Sequence, residues 1–167
     1  YDFGIYSLLE CIFVEFDTYD KKILQHLQKD CSLSIDKIGE QASLSRNAVW
    51  RRIKVLEDTG VITDRVALLN PEKLGLDLLV FIQLRTSEHD EAWRTRLSQI
   101  VQSLPQILSA HRMTGDLDYL IMARVENMVE YDRLYQLLTK QVSIRDVSAS
   151  FVMESLKNTT ELPIPTS

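Results

Sequence analysis

Histidine and cysteine are scarce in this chain, with three of one and two of the other among 167 residues. Cys11 and Cys31 form no C-x-x-C pair, and His26, His89 and His111 fall at no metal-ligand spacing. That pattern argues against a zinc site and a disulfide scaffold; we expect no metal, no cofactor and reduced thiols in a cytoplasmic protein. With five glycines and four prolines in all, collagen-like and disordered classes are poor readings. Long uncharged apolar runs are missing too. The opening "YDFGIYSLLECIFVEF" is apolar, but it lacks a basic start, and Glu10 and Glu15 interrupt it before it could span a bilayer. Residues 1–16 read as an N-terminal extension of undecided status, and no membrane association is expected. The chain also lacks an excess of positive charge: its formal net charge is -5.

That total hides an uneven distribution. Residues 1–17 carry -4, residues 18–70 carry +2 and residues 71–167 carry -3. Only the middle block is positive, and Arg46, Arg51, Arg52 and Lys54 lie together inside it. A polyanion would have to be attracted by a local patch. Around that patch, helical periodicity is clear. Tyr19, Ile23, Leu24 and Leu27 recur behind Asp17 or Thr18 as a cap, marking a helix to about Lys29. Ser34 caps a short second helix, "ASLS" breaks it, and Ser45 caps a third that Gly60 ends. Two helices joined by so short a turn have helix-turn-helix spacing. "VITDRVALL" then carries strand formers to a turn at Asn70-Pro71, completing a predicted winged helix-turn-helix over residues 17–69.

On the third helix Val49, Ile53 and Leu56 share one side, while Asn47, Trp50, Arg51 and Lys54 fall on the opposite arc. Arginine can bond guanine twice, asparagine can read adenine, and lysine can neutralise phosphate. The helix start near Ser45 and Arg46 offers free N–H groups to a phosphate. Arg52 lies nearer the core side, where it snorkels to phosphate or pairs with an acid. The competing reading of this arc is a solvated face or a protein-docking surface.

Beyond a connector at 70–77 the period changes. Residues 78–167 read as a second domain of order β-α-β-β-α-β: strand 78–85, a helix from Asp90, a strand from Pro105 to Thr114, the strand "YLIMARV", a helix from Asn127, and a last strand "VSASFVMESL". The fold class is therefore α+β, with a ferredoxin-like sheet carrying both helices on one face. A sheet covered on one face should alternate apolar and polar residues, yet Leu78 to Ile82 and Leu120 to Met122 are continuous apolar runs. With no third layer of chain to cover the open face, a second copy of the same sheet is the expected cover, in an obligate two-fold homodimer.

Taken in order, "YDKKIL", "LSRNAVWRRIKVLEDTGVI", "NPEKLG", "TGDLDYLIMARV" and "SFVMESLKNTTELPI" resemble the Lrp/AsnC family, the leucine- and asparagine-responsive regulators of bacteria and archaea, over about residues 17–164. The overall pattern is most similar to the branch that includes cysteine-responsive regulators. Ser43 departs from the family's frequent turn glycine and would be strained if its φ is positive. The resemblance implies a transcription factor that binds double-stranded DNA at a near-palindromic operator, dimerises, often assembles into octamers, and senses an amino acid. It implies an effector site at "MTGDLDYL": N–H groups freed at the Gly115 turn for the carboxylate, and Asp118 for the ammonium. Because the resemblance implies a pocket completed across a dimer-dimer interface, Met113, Thr114, Tyr119 and Met128 join that site, with Ser148 and Ser150 on the last strand. The alternative for Asp118 is a carboxylate that caps its own turn.

Ferredoxin-like folds also host enzymes. A haem-type decarboxylase of the same architecture would use histidines, but His111 stands alone before the turn. No nucleophile-base pair or carboxylate constellation is present, so no enzyme is expected. An architectural DNA-binding protein without an effector is the other alternative.

Overall fold

The computed structural model describes residues 16–88 and 90–165. Except for Phe16, the N-terminal extension lies outside them. The chain divides into two compact units, the first running through Ala67 and resuming at Asn158, the second spanning Leu68–Lys157.

In the first unit, three helices form where local caps begin them: α1 (Thr18–Lys29), α2 (Ile35–Ala42) and α3 (Arg46–Asp58). Asp17 accepts from the backbone of Tyr19 and Asp20, and Asp20 answers on the Asp17 N–H, a reciprocal capping box. Ser34 and Ser45 cap the next two helices through the N–H groups of Lys37 and Ala48. Ile23, Ile38, Val49, Ile53 and Leu56 are buried together between the helices. Each such side chain contributes about 1.5–3 kcal/mol of burial. The turn between α2 and α3 packs tightly: a Cβ on Gly39 would lie 2.7 Å from the Leu44 carbonyl oxygen, so only glycine fits there. Ser43 adopts φ 56° and ψ 45°, the left-handed conformation in which a side chain is strained.

The strand expected at 61–69 does not form. Residues 63–70 are exposed and have no strand partner, and Val66, Leu68 and Leu69 are 66%, 72% and 70% exposed. Strand-forming composition alone cannot make a strand without a ladder to join. The domain boundary also differs from expectation, because the segment from Asn158 packs with the first unit. Gln28 on α1 holds it by two bonds: its Nε2 donates to the Leu162 carbonyl at 3.0 Å, and the Leu162 N–H donates to its Oε1 at 2.9 Å. Leu162 and Ile164 sit with Phe16, Leu24, Leu27 and Val61 around a largely apolar cavity of about 410 Å³.

The second unit opens with a 3-10 turn (Glu72–Leu74) and continues as β1 (Leu78–Arg85), α4 (Glu91–Ser103), β2 (Ile107–Arg112), β3 (Tyr119–Val125), α5 (Met128–Gln141) and β4 (Asp146–Phe151). The sheet is antiparallel in the order β2-β3-β1-β4. Asp90 and Asn127 cap α4 and α5. Trp93, Leu97 and Ile100 from α4 and Leu134 and Leu138 from α5 pack on Val80, Ile82, Leu84, Ile121 and Ala123, all buried. β4 ends at Phe151 rather than continuing to Leu156, and Met153 and Leu156 are almost wholly exposed. On the sheet's other face Leu79, Phe81, Leu120 and Met122 are half-buried in the single chain. The continuous apolar runs therefore combine one core face with one open face.

Candidate functional site

α3 presents its basic residues in three different electrostatic states. Arg51 and Asn47 are exposed and, among the described residues, make no ion pair or side-chain hydrogen bond; Trp50 beside them is 56% exposed. Arg46 pairs with Asp36 of α2 at 2.5 Å, and Lys54 pairs with Asp58 one turn along its own helix at 2.9 Å. Both pairs are exposed. The hydrogen bond from Lys54 to Asp58 raises the lysine pKa above its ordinary value. Ser45 is occupied as the cap, its Oγ accepting from the Ala48 N–H at 3.3 Å.

Arg52 must be removed from the DNA-facing set. Its guanidinium reaches back to α1, 2.8 Å from an Asp17 oxygen and 2.7 Å from an Asp20 oxygen, with its carbon 5.5 Å from the Tyr19 ring centre. The hydrogen bond to Asp20 raises the Arg52 pKa. Asp17 is lowered, first by the backbone N–H of Asp20 and, against a desolvation cost, by Arg52. A guanidinium held by two carboxylates and a ring face is a clamp between helices.

In the second unit the "MTGDLDYL" segment forms the expected turn between β2 and β3. Gly115 has φ 103°, which only glycine adopts freely, and the Met113 N–H closes the turn on the Asp118 carbonyl at 2.8 Å. Thr114 and Gly115 are exposed. Asp118 is engaged: its carboxylate accepts the Thr86 N–H at 2.9 Å, and its own N–H donates to Leu84. The carboxylate thus fastens the end of β1 rather than its own turn, and it has further acceptor capacity.

Two residues assigned to that site lie elsewhere within the chain. The Tyr119 ring packs against Trp93, with centroids 5.4 Å apart, because the residue shares the core-facing row with Leu84. Met128 begins α5 just past the far end of β3, so the whole strand separates it from the turn. Ser148 and Ser150 are exposed on β4, opposite Gln83 and Phe81 on the open face.

A polar cleft of about 540 Å³ beside the turn was not foreseen; Arg85, Asp116, Arg145 and Asp146 line it. Arg85 Nε donates to the Asp116 carbonyl at 2.7 Å, and its other nitrogen lies 3.5 Å from Asp146. Arg145 has no ion pair among the described residues. The local signal was charge at two strand ends, Arg85 closing β1 and Arg145-Asp146 opening β4. Among the described residues no group of histidine, cysteine, aspartate and glutamate could hold a metal ion. His111 is exposed on β2, across from Leu120.

Comparison with known families matches residues 16–63 to a winged helix-turn-helix DNA-binding domain and residues 79–162 to the Lrp/AsnC ligand binding domain. The chain belongs to the Lrp/AsnC family. It is 45% identical over 151 residues to the glutamate uptake regulatory protein of Zymomonas mobilis, covering 90% of this chain and 92% of that one. It is 42% identical to the DNA-binding transcriptional activator DecR of Escherichia coli, covering 89% and 98%. An AsnC family regulator from Agrobacterium tumefaciens superposes with a TM-score of 0.85 at 41% identity, covering 89% of this chain and 97% of that one. A Neisseria meningitidis transcriptional regulator in complex with L-Met gives 0.84 at 34% identity, with the same coverage. Like its Lrp/AsnC relatives, this chain is a DNA-binding transcriptional regulator with an α+β fold, and the decarboxylase alternative falls. No described helix is long and apolar enough to cross a membrane.

Proposed function

We propose that this regulator reads a near-palindromic operator as a cytoplasmic homodimer, through Asn47, Trp50 and Arg51, with Arg46 and Lys54 turned to phosphate. The reading is carried by Arg51, a basic side chain on the recognition helix that is exposed and unpaired among the described residues. The open sheet faces around Phe81 and Met122 are the surfaces for two-fold pairing, and two-fold symmetry calls for half-sites about 34 Å apart or a multiple of that. Assembly beyond the dimer, to an octamer or another higher oligomer, follows the family pattern.

The effector is an amino acid held at the Gly115 turn. Among the described residues the N–H groups of Thr114 and Gly115 donate to no acceptor, which suits its carboxylate. The polar cleft of Arg85, Asp116, Arg145 and Asp146 adds charges of both signs for a zwitterion. Asp118, shared with Thr86, supplies its remaining oxygen to the ammonium. Met113 borders the turn, Ser148 and Ser150 lie on β4 along the open sheet face, and Met128 reaches a site only from another copy.

Operator binding measured by fluorescence anisotropy tests both parts. Arg51→Ala is expected to weaken specific binding by about 1–3 kcal/mol while leaving the thermal midpoint unchanged. Equal operator affinity for the variant and the wild type would remove α3 from base readout. An amino acid that shifts the wild-type curve identifies the effector, and a curve that none shifts favours an architectural DNA-binding protein.

A further inference from the structure

The chain joins the two units twice, once at Ala67-Leu68 and again where β4 runs on toward Asn158. The second connection is fixed at both ends. At the sheet, the Val152 N–H donates to the Leu79 carbonyl at 2.9 Å. At α1, the Gln28 amide grips the Leu162 backbone in both directions, as a neighbouring strand would. Between these anchors residues 153–161 are all exposed and lie in no helix or strand. That leash reaches at most about 32 Å when extended.

We infer that residues 158–165 are a strap that transmits the state of the ligand-binding sheet to the recognition helix. The route is continuous. Ser148 and Ser150 stand on β4, whose end becomes the leash; the leash pulls on Leu162, Leu162 on Gln28, and Gln28 on α1. α1 in turn holds α3 through the Arg52 clamp on Asp17 and Asp20. A shift of β4 that takes up the slack must move α1 or release Gln28 from Leu162. A single connection at Ala67-Leu68 would impose neither choice. The inference rests on the amino-acid response proposed above.

Two full-length variants separate transmission from simple packing. A flexible Gly-Ser spacer between Glu154 and Ser155 leaves the strap and its dock untouched but slackens the leash. Gln28→Leu removes both amide bonds while keeping a side chain of similar bulk. Hydrogen exchange at the Leu162 amide reports docking, and anisotropy on operator DNA, with each protein amino acid as probe, reports the response.

In the wild type, the effective amino acid is expected to shift operator affinity by about fivefold or more. In both variants the shift falls below about twofold, with affinity in the absence of amino acid retained. Leu162 exchange is unchanged in the spacer variant and faster in Gln28→Leu. A spacer variant that responds as fully as the wild type overturns the inference and leaves the strap as packing. If Gln28→Leu loses its helical signal, the spacer variant decides alone. A wild type that binds its operator but answers no amino acid overturns the effector reading itself, and the strap's role with it.

Discussion

The two units are stabilised by different means. Among the described residues the sheet unit holds a twelve-residue buried apolar cluster around Trp93, whereas the cluster of the three-helix unit has five members around Ile23. A small core leaves little margin over chain entropy, and small domains compensate with added fastenings. In the three-helix unit these include the Arg52 clamp between α1 and α3 and the C-terminal segment held by Gln28. Its polar contacts therefore matter more to its fold than the Arg85 cluster matters to the sheet. One tryptophan lies in each unit, Trp50 exposed and Trp93 buried, so the transitions can be followed separately.

Ile23→Ala should have the largest effect. Emptying a fully buried site costs about 2–5 kcal/mol, which is expected to abolish the cooperative transition of the three-helix unit. Leu138→Ala, at an equally buried site, falls in the same range of about 2–5 kcal/mol, yet the sheet unit should stay folded with a lowered denaturation midpoint. Equal midpoint shifts with cooperativity kept in both would break the comparison.

Arg52→Ala comes next, at about 1 kcal/mol, since the clamp is partly open to solvent. Its effect depends on pH in a definite direction. Asp17 has a lowered pKa in the folded protein, so its contribution is present above the ordinary value of 3.8 and is lost as pH falls through the lower folded value. The gap between wild type and Arg52→Ala should be widest near neutrality and narrow in acid, as shown by urea midpoints across that range. A gap that widens in acid would contradict the clamp. The smallest change is a gain: Ser43→Gly relieves a left-handed conformation and should raise the thermal stability of the three-helix unit by up to about 1 kcal/mol. A lowered midpoint would mean that the Ser43 side chain does more than tolerate its φ.

How much of this was legible in the sequence follows the range of each interaction. Asp17, Ser34, Ser45, Asp90 and Asn127 could be read as helix starts because a cap bonds N–H groups two or three residues away. The core sides of α3 and α4 were equally plain, since their period is local. The strand expected at 61–69 was misread because its composition is right while its partner is missing, and a ladder is not a local property. Arg52 stayed ambiguous because its carboxylates lie on another helix. Within one chain Tyr119 packs on Trp93 and Met128 lies past the far end of β3, an arrangement that motif membership does not convey because it says nothing of the direction in which a strand leads away. The cleft of Arg85, Asp116, Arg145 and Asp146 joins positions up to 61 residues apart, so no window of sequence contains it.

The acids beside the recognition helix have a consequence for ionic strength. Each cation that meets DNA bare lets condensed counterions go, and the logarithm of affinity then falls with the logarithm of salt by about 0.9 per phosphate neutralised. Asp36 and Asp58 already stand where a phosphate would, against Arg46 and Lys54. Part of the release expected from these bases is therefore forgone before DNA arrives. A surface with four clustered bases should therefore show a shallower salt slope than four unpaired cations would give, and so hold less tightly to DNA at large while leaving base contacts to choose the site.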